Sequence, residues 1–158
     1  MKKVVFALIL ITLFSCERKI EYSSLRNEGG TYYLGNELYS GDAVFSTETE
    51  YPSTTYRFQF GKKLYETEYF MIDPASRKVK YEKEFYNGLL SKEKEYSING
   101  LLLRQETYSW DMSNKTAEAV IMTFDWCGKI KTKKIFVCDE YHNLMRVKYE
   151  QNIPSPCN

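Results

Sequence analysis

Histidine is almost missing from this 158-residue chain, where His142 stands alone. One imidazole and four cysteines without a Cys-x-x-Cys pair exclude the usual tetrahedral zinc sites. His142 falls in a turn-like stretch between Tyr141 and Asn143, with no Ser or Cys nucleophile beside it. It reads as a solvated turn residue rather than a general base, and no catalytic residue, metal or cofactor is expected. An excess of one charge is missing too: 22 Lys and Arg face 21 Asp and Glu. So even a mixture argues against a nucleic acid held through its phosphates. No apolar run reaches the roughly 20 residues that a membrane-crossing helix requires.

What the chain has in quantity is aromatic residues, at 16 %, with tyrosine the commonest at 14. Tyr, Phe, Thr and Val favour strands, and their alternation supports the same class. Asn87-Gly88 and Asn99-Gly100 each follow a Tyr-containing run and precede leucines, which is the strongest short-range hairpin signal. Gly35-Asn36, Gly61-Lys62 and the stretch around Gly128 repeat the cadence less cleanly.

The expected strands begin with Thr31–Leu34 and Glu37–Phe45, then Thr54–Phe60 with Tyr56, Phe58 and Phe60 on one face. Lys63–Ile72 returns, Asp73-Pro74 turns, and Lys78–Tyr86, Leu89–Ile98 and Leu101–Trp110 follow. Thr116–Ala119 gives a weak helix signal. Val120, Met122, Phe124 and Trp126 read as a deeply buried strand face. Lys129–Cys138 and Leu144–Glu150 complete the series. The expectation is an all-β, antiparallel up-and-down meander of about ten short strands. Half-polar faces in the middle favour an open, elongated sheet over a closed barrel.

The chain starts with a different pattern. Lys2 and Lys3 precede an apolar run from Val4 to Phe14 that suits a signal peptide over residues 1–15. Leu13-Phe14-Ser15-Cys16 closes the run and resembles the lipobox of bacterial lipoproteins. That resemblance implies acyl chains on Cys16 and cleavage before it, and multiple chains anchor a protein stably in a membrane. Glu17 follows Cys16 where an inner-membrane retention signal would place Asp, so the outer membrane is expected, on either face. Residues 16–30 read as a lipid-anchored tether, 31–150 as the all-β repeat domain and 151–158 as an irregular tail.

Tyr32-Tyr33-Leu34-Gly35-Asn36-Glu37-Leu38, Phe85-Tyr86-Asn87-Gly88-Leu89-Leu90 and Tyr96-Ser97-Ile98-Asn99-Gly100-Leu101 resemble the short MORN-variant repeat of bacterial secreted and antitoxin-like proteins. The resemblance covers Thr31 to Trp110. It implies stacked hairpins that present a binding surface, with no catalytic residues to carry over.

Glu82, Glu84, Glu93 and Glu95 interleave with Lys80, Lys83, Lys92 and Lys94, which fits cross-strand charge pairing better than acid–base catalysis. Tyr33, Tyr86 and Tyr96 are the candidate binding residues, since tyrosine offers apolar area with a polar tip. With Cys16 acylated, three thiols remain in an oxidising compartment, and Cys127 with Cys157 is the preferred disulfide. The functional expectation is a non-enzymatic, membrane-anchored module that binds an envelope protein or polymer. The alternative is a barrel carrying a small apolar ligand.

Overall fold

The computed structural model describes residues 19–46, 52–71 and 77–154. The expected leader, Cys16, the Asp73-Pro74 turn and Cys157 lie outside the described residues. The chain begins with β1 (Ile20–Glu21), a 3-10 turn at Tyr22–Ser24, β2 (Arg26–Glu28), β3 (Thr31–Leu34), β4 (Glu37–Leu38) and β5 (Gly41–Ser46). Then come β6 (Pro52–Gln59), β7 (Lys62–Tyr69), β8 (Val79–Tyr86) and β9 (Leu89–Tyr96). The last four are β10 (Leu102–Asp111), β11 (Thr116–Phe124), β12 (Ile130–Asp139) and β13 (Leu144–Asn152).

Strands β1 and β5 to β13 form a single ten-stranded sheet, with β1 at one edge and β13 at the other. From β5 onward each strand pairs antiparallel with the next. The fold is therefore the expected all-β meander, and it is open. Closure around a ligand would need β1 beside β13, which stand at opposite ends of the strand order.

Turn chemistry explains the register. Phe60-Gly61 (φ 48 and 72) and Asn87-Gly88 (φ 51 and 82) place both central residues in the left-handed region. This is the type I′ geometry whose twist matches the flanking strands. Three other hairpins use a longer turn with one shared bond pattern. Gly100 N–H donates to the Ser97 carbonyl, Gly128 to Asp125, and His142 to Asp139, at 2.8, 3.0 and 3.0 Å. Asn99-Gly100 is thus not a type I′ turn: of the two, only Gly100 has positive φ.

Several expectations are corrected. Phe60 is a turn residue, 72 % exposed, and not the end of an apolar strand face. Glu37–Phe45 is broken at Tyr39-Ser40, so β4 joins a small sheet with β2 and β3 while β5 joins the large one. The described part of the expected tether, from Lys19, is built into the fold: β1 extends the large sheet and Ile20, Tyr22 and Leu25 pack on its core. Thr116–Ala119 is strand, because it pairs with β12 and buries Ala117 and Ala119. Those two alanines, and not Val120 to Trp126, are the buried part of β11, and Trp126 lies exposed in the following turn. Gln151 and Asn152, expected in the irregular tail, are the last two residues of β13.

Pairing sorts the side chains of the large sheet onto two faces. Tyr56, Phe58, Glu66, Lys83, Glu93, Glu106, Tyr108 and Trp110 share the front; Asp42, Arg57, Tyr65, Thr67, Glu82, Glu84, Lys92 and Lys94 share the back. The small sheet covers the front at the N-terminal end. There Tyr32, Tyr39, Ala43 and Phe58 are buried, with Tyr22 stacked on Tyr56 at 4.3 Å. Burying a side chain such as Phe58 contributes about 2–3 kcal/mol. At the other end, Tyr108, Trp110 and Phe136 pack over Ala117, Ala119 and Cys138. Between these clusters the sheet is a single layer, and no residue of β8 or β9 is buried.

Candidate binding surface

Among the described residues the back face has no covering layer like the one the small sheet gives the front, and its chemistry is built from cross-strand pairs. Asp42 on β5 accepts from Arg57 on β6 through both oxygens, at 2.8 and 3.0 Å. That paired guanidinium holds the Asp42 carboxyl below its usual range despite partial burial. Arg57 stands opposite Tyr65, which stands opposite Glu84, so an exposed tyrosine ring lies in register between a cation and an anion. Asp42, Arg57, Tyr65, Thr67, Glu82 and Glu84 line a shallow cleft of about 300 Å³ there.

Further along the back face, Glu82 pairs with Lys94 at 3.3 Å and Glu84 with Lys92 at 3.6 Å. Tyr96 O–H donates to Glu82 Oε2 at 2.7 Å. Burial first, and this bond to a carboxylate second, push the Tyr96 hydroxyl above its ordinary pKa. The carboxylates at Glu82 and Glu84 are therefore engaged in cross-strand pairing.

The three tyrosines singled out from the sequence are not brought together. Tyr86 and Tyr96 share the back face but sit at opposite ends of the β8–β9 pair, Tyr86 at 67 % exposure beside the Asn87-Gly88 turn. Tyr33 belongs to the small sheet, where the Arg26 guanidinium lies 5.2 Å from its ring centre. Tyr65 was not among them. Its signal lay in alternation: it shares parity with Thr67 and Tyr69 along β7, and Thr55 and Tyr69 meet on the same face at 3.5 Å.

The front strip carries a different arrangement. Lys63 and Lys83 reach Glu66 at 2.7 and 3.3 Å. Burial disfavours the Glu66 carboxylate, but the two ammonium groups outweigh it and lower its pKa. Glu106, buried, accepts from the Tyr108 hydroxyl and pairs with Arg104. His142 presents its edge to Tyr108 and Trp110 at 5.0 and 5.7 Å, which makes it a packing residue as well as a turn residue. Among the described residues no group of three or more His, Cys, Asp and Glu is placed to hold a metal ion.

The cysteines separate by environment. Cys138 is a buried free thiol whose pKa is raised by burial and by the neighbouring Asp139 charge. Cys127, exposed in the β11–β12 turn, is disulfide-bonded to a partner outside the described residues. β13 runs back toward that turn, and Ile153 N–H still bonds the Lys131 carbonyl at 2.8 Å.

No protein-family model matches the chain, and no curated protein is similar to it in sequence.

Proposed function

We propose that this is a lipid-anchored, non-enzymatic binding module of the bacterial envelope, which holds an envelope protein or polymer against the back face of its sheet. One observation carries the reading: among the described residues a wide sheet face is left without a cover, and Tyr65 stands on it between Arg57 and Glu84 over a cleft. Tyr65 and Tyr86 are both exposed on that face, Tyr86 lying two residues beyond Glu84, the cross-strand partner of Tyr65. Tyrosine contributes area with little conformational entropy to lose, and the flanking ion pairs give a partner directional contacts. The lipobox-like Leu13-Phe14-Ser15-Cys16 supplies the anchor and the compartment.

The test is native mass spectrometry of the protein extracted from its own membrane, repeated with Tyr65, Tyr86 and Tyr96 changed to Ala. The wild type should carry a macromolecular companion that the triple variant loses, while Tyr33→Ala keeps it. A companion retained by the folded triple variant would overturn the reading.

A further inference from the structure

The first strand of the fold enters at one particular corner. β1 is parallel to β5, with Ile20 beside Ala43 and Glu21 beside Val44, so Lys19 lies level with the start of β5. The Lys19 charge is accordingly felt at Asp42. The start of β5 is also the end at which β6 turns into β7: Gly41 pairs with Phe58, and Phe60 N–H donates to Ser40 Oγ at 2.8 Å.

The small sheet meets the same corner. Gly61 N–H donates to the Tyr39 carbonyl and Tyr32 N–H to the Gly61 carbonyl, both at 2.8 Å. A side chain on Gly61 would strike Leu38 and Thr31, so Leu38 lies directly against this turn. Leu38 is exposed on the face of the β3–β4 hairpin that it shares with Tyr33, Leu34 is exposed on the opposite face with Glu37, and Phe60 is exposed beside Gly61. Phe60 holds a positive φ that a bulky side chain adopts only at a cost. Asparagine would fill that position more cheaply, as Asn87 does in the equivalent turn.

Only Glu17 and Arg18 stand between Cys16 and Lys19. However that link is arranged, it spans at most about 11 Å. We propose that the corner formed by Leu38 and Phe60 rests in the interfacial layer of the bilayer that holds the acyl chains of Cys16. This rests on the lipid-anchor reading and adds an orientation to it: the sheet stands on the membrane by its β6–β7 end. Leucine and aromatic side chains at the headgroup level gain from partial burial there, and the basic Lys19 beside them suits anionic lipid. Tyr86, Met112 and Tyr141 are exposed in later turns at the same end of the strands. A twist of about 20–25° per strand turns those tips progressively away, which confines the contact to the first corner.

The experiment uses the full mature protein in phosphatidylethanolamine–phosphatidylglycerol vesicles with brominated acyl chains, comparing wild type with Phe60→Trp. Trp126, in a turn at the opposite end of the strands, and Trp110, packed on Ala117, Ala119 and Cys138, emit in both proteins and are the internal reference. The emission added by Phe60→Trp should be largely quenched while wild-type emission is not, with the unfolding midpoint unchanged. Unquenched added emission from acylated protein that floats with the vesicles would overturn the orientation and leave the anchor standing. Protein that lacks acyl mass on Cys16 and stays in solution would overturn both. Leu38→Ser gives a second check: in the Phe60→Trp background it should reduce the quenching without releasing the protein.

Discussion

Glu106 on β10 lies directly opposite Glu93 on β9, on the same face of the sheet. Two carboxylates in register repel, and the pair is only partly compensated. Glu106 is engaged by Arg104 and Tyr108, whereas Glu93 makes no hydrogen bond or ion pair among those described. Burial chiefly, and the charges of Glu106 and Glu66, raise the Glu93 pKa above its ordinary value, against the pull of Lys83 and Arg104.

The sign of the pH dependence follows. A carboxyl whose pKa is raised by folding binds more protons in the native state, so its contribution to stability falls as pH rises through that window. Replacing Glu93 by Gln should therefore stabilise the protein at pH 7, by on the order of 0.5 kcal/mol. The gain should shrink as pH falls toward the unfolded value of the carboxyl. Urea unfolding of both proteins at neutral and acidic pH reads the difference. Asp42 and Glu66, whose pKa values are lowered, act in the opposite sense, as do Asp111 and Asp139: their contribution should be lost as pH falls below the unfolded carboxyl range.

Lys115 closes the β10–β11 turn with φ 51 and, among the described residues, an exposed ion pair to Glu140 at 3.5 Å. Lys115→Gly should relieve left-handed strain and raise stability by about 1 kcal/mol. His142→Gly should gain less, because the strain it relieves at φ 64 is offset by the lost ring contacts to Tyr108 and Trp110. Thermal unfolding of the two variants side by side checks the order.

Gly61 and Gly88 separate docking from turn strain. Both have positive φ, but a side chain at Gly61 would come within 2.9 Å of Leu38 and Thr31, and one at Gly88 meets nothing within 4 Å. Each change to Ala should cost about 1–2 kcal/mol for the backbone alone. Gly61→Ala should cost more and should also raise amide exchange in β3, whereas Gly88→Ala should leave β3 unchanged. Equal exchange in the two variants would mean that the small sheet does not depend on this contact.

The meander was legible because its signals are local. Asn87-Gly88 and the alternation of Lys78–Tyr86 fix a turn and a face within a few residues of sequence. What was not legible depends on distant partners. Thr116–Ala119 looks helical because alanine favours helices, yet Cys138 and Phe136 opposite it select a strand of small side chains under Tyr108 and Trp110. The segment from Lys19 to Gly30 has no period of its own, since its Ile20, Tyr22 and Leu25 find their partners on β5 and β6. Phe60 continued the alternation of Tyr56 and Phe58, and only the positive φ shared with Gly61 shows it as a turn. Of the candidate surface, the charge pairing across β8 and β9 could be anticipated from the interleaved Glu and Lys, while Tyr65 needed the register of three strands.

The disulfide is a covalent prediction. Alkylation without reductant should leave Cys127 and Cys157 protected and modify Cys138 only after unfolding, as peptide mass spectrometry would show. Reduction should then cost about 2–4 kcal/mol of stability. A peptide linking Cys127 to any other residue would displace Cys157 from the assignment.

Recognition at the back face, as proposed, is read by a photocrosslinking amino acid placed at Tyr65 in the native envelope and compared with one at Tyr81 on the front. Tyr81 shares the front with Glu95, to which its hydroxyl donates at 3.2 Å. A discrete adduct from position 65 and none from position 81 is the predicted result. Adducts from position 81 alone, with both proteins folded and membrane-bound, would contradict it.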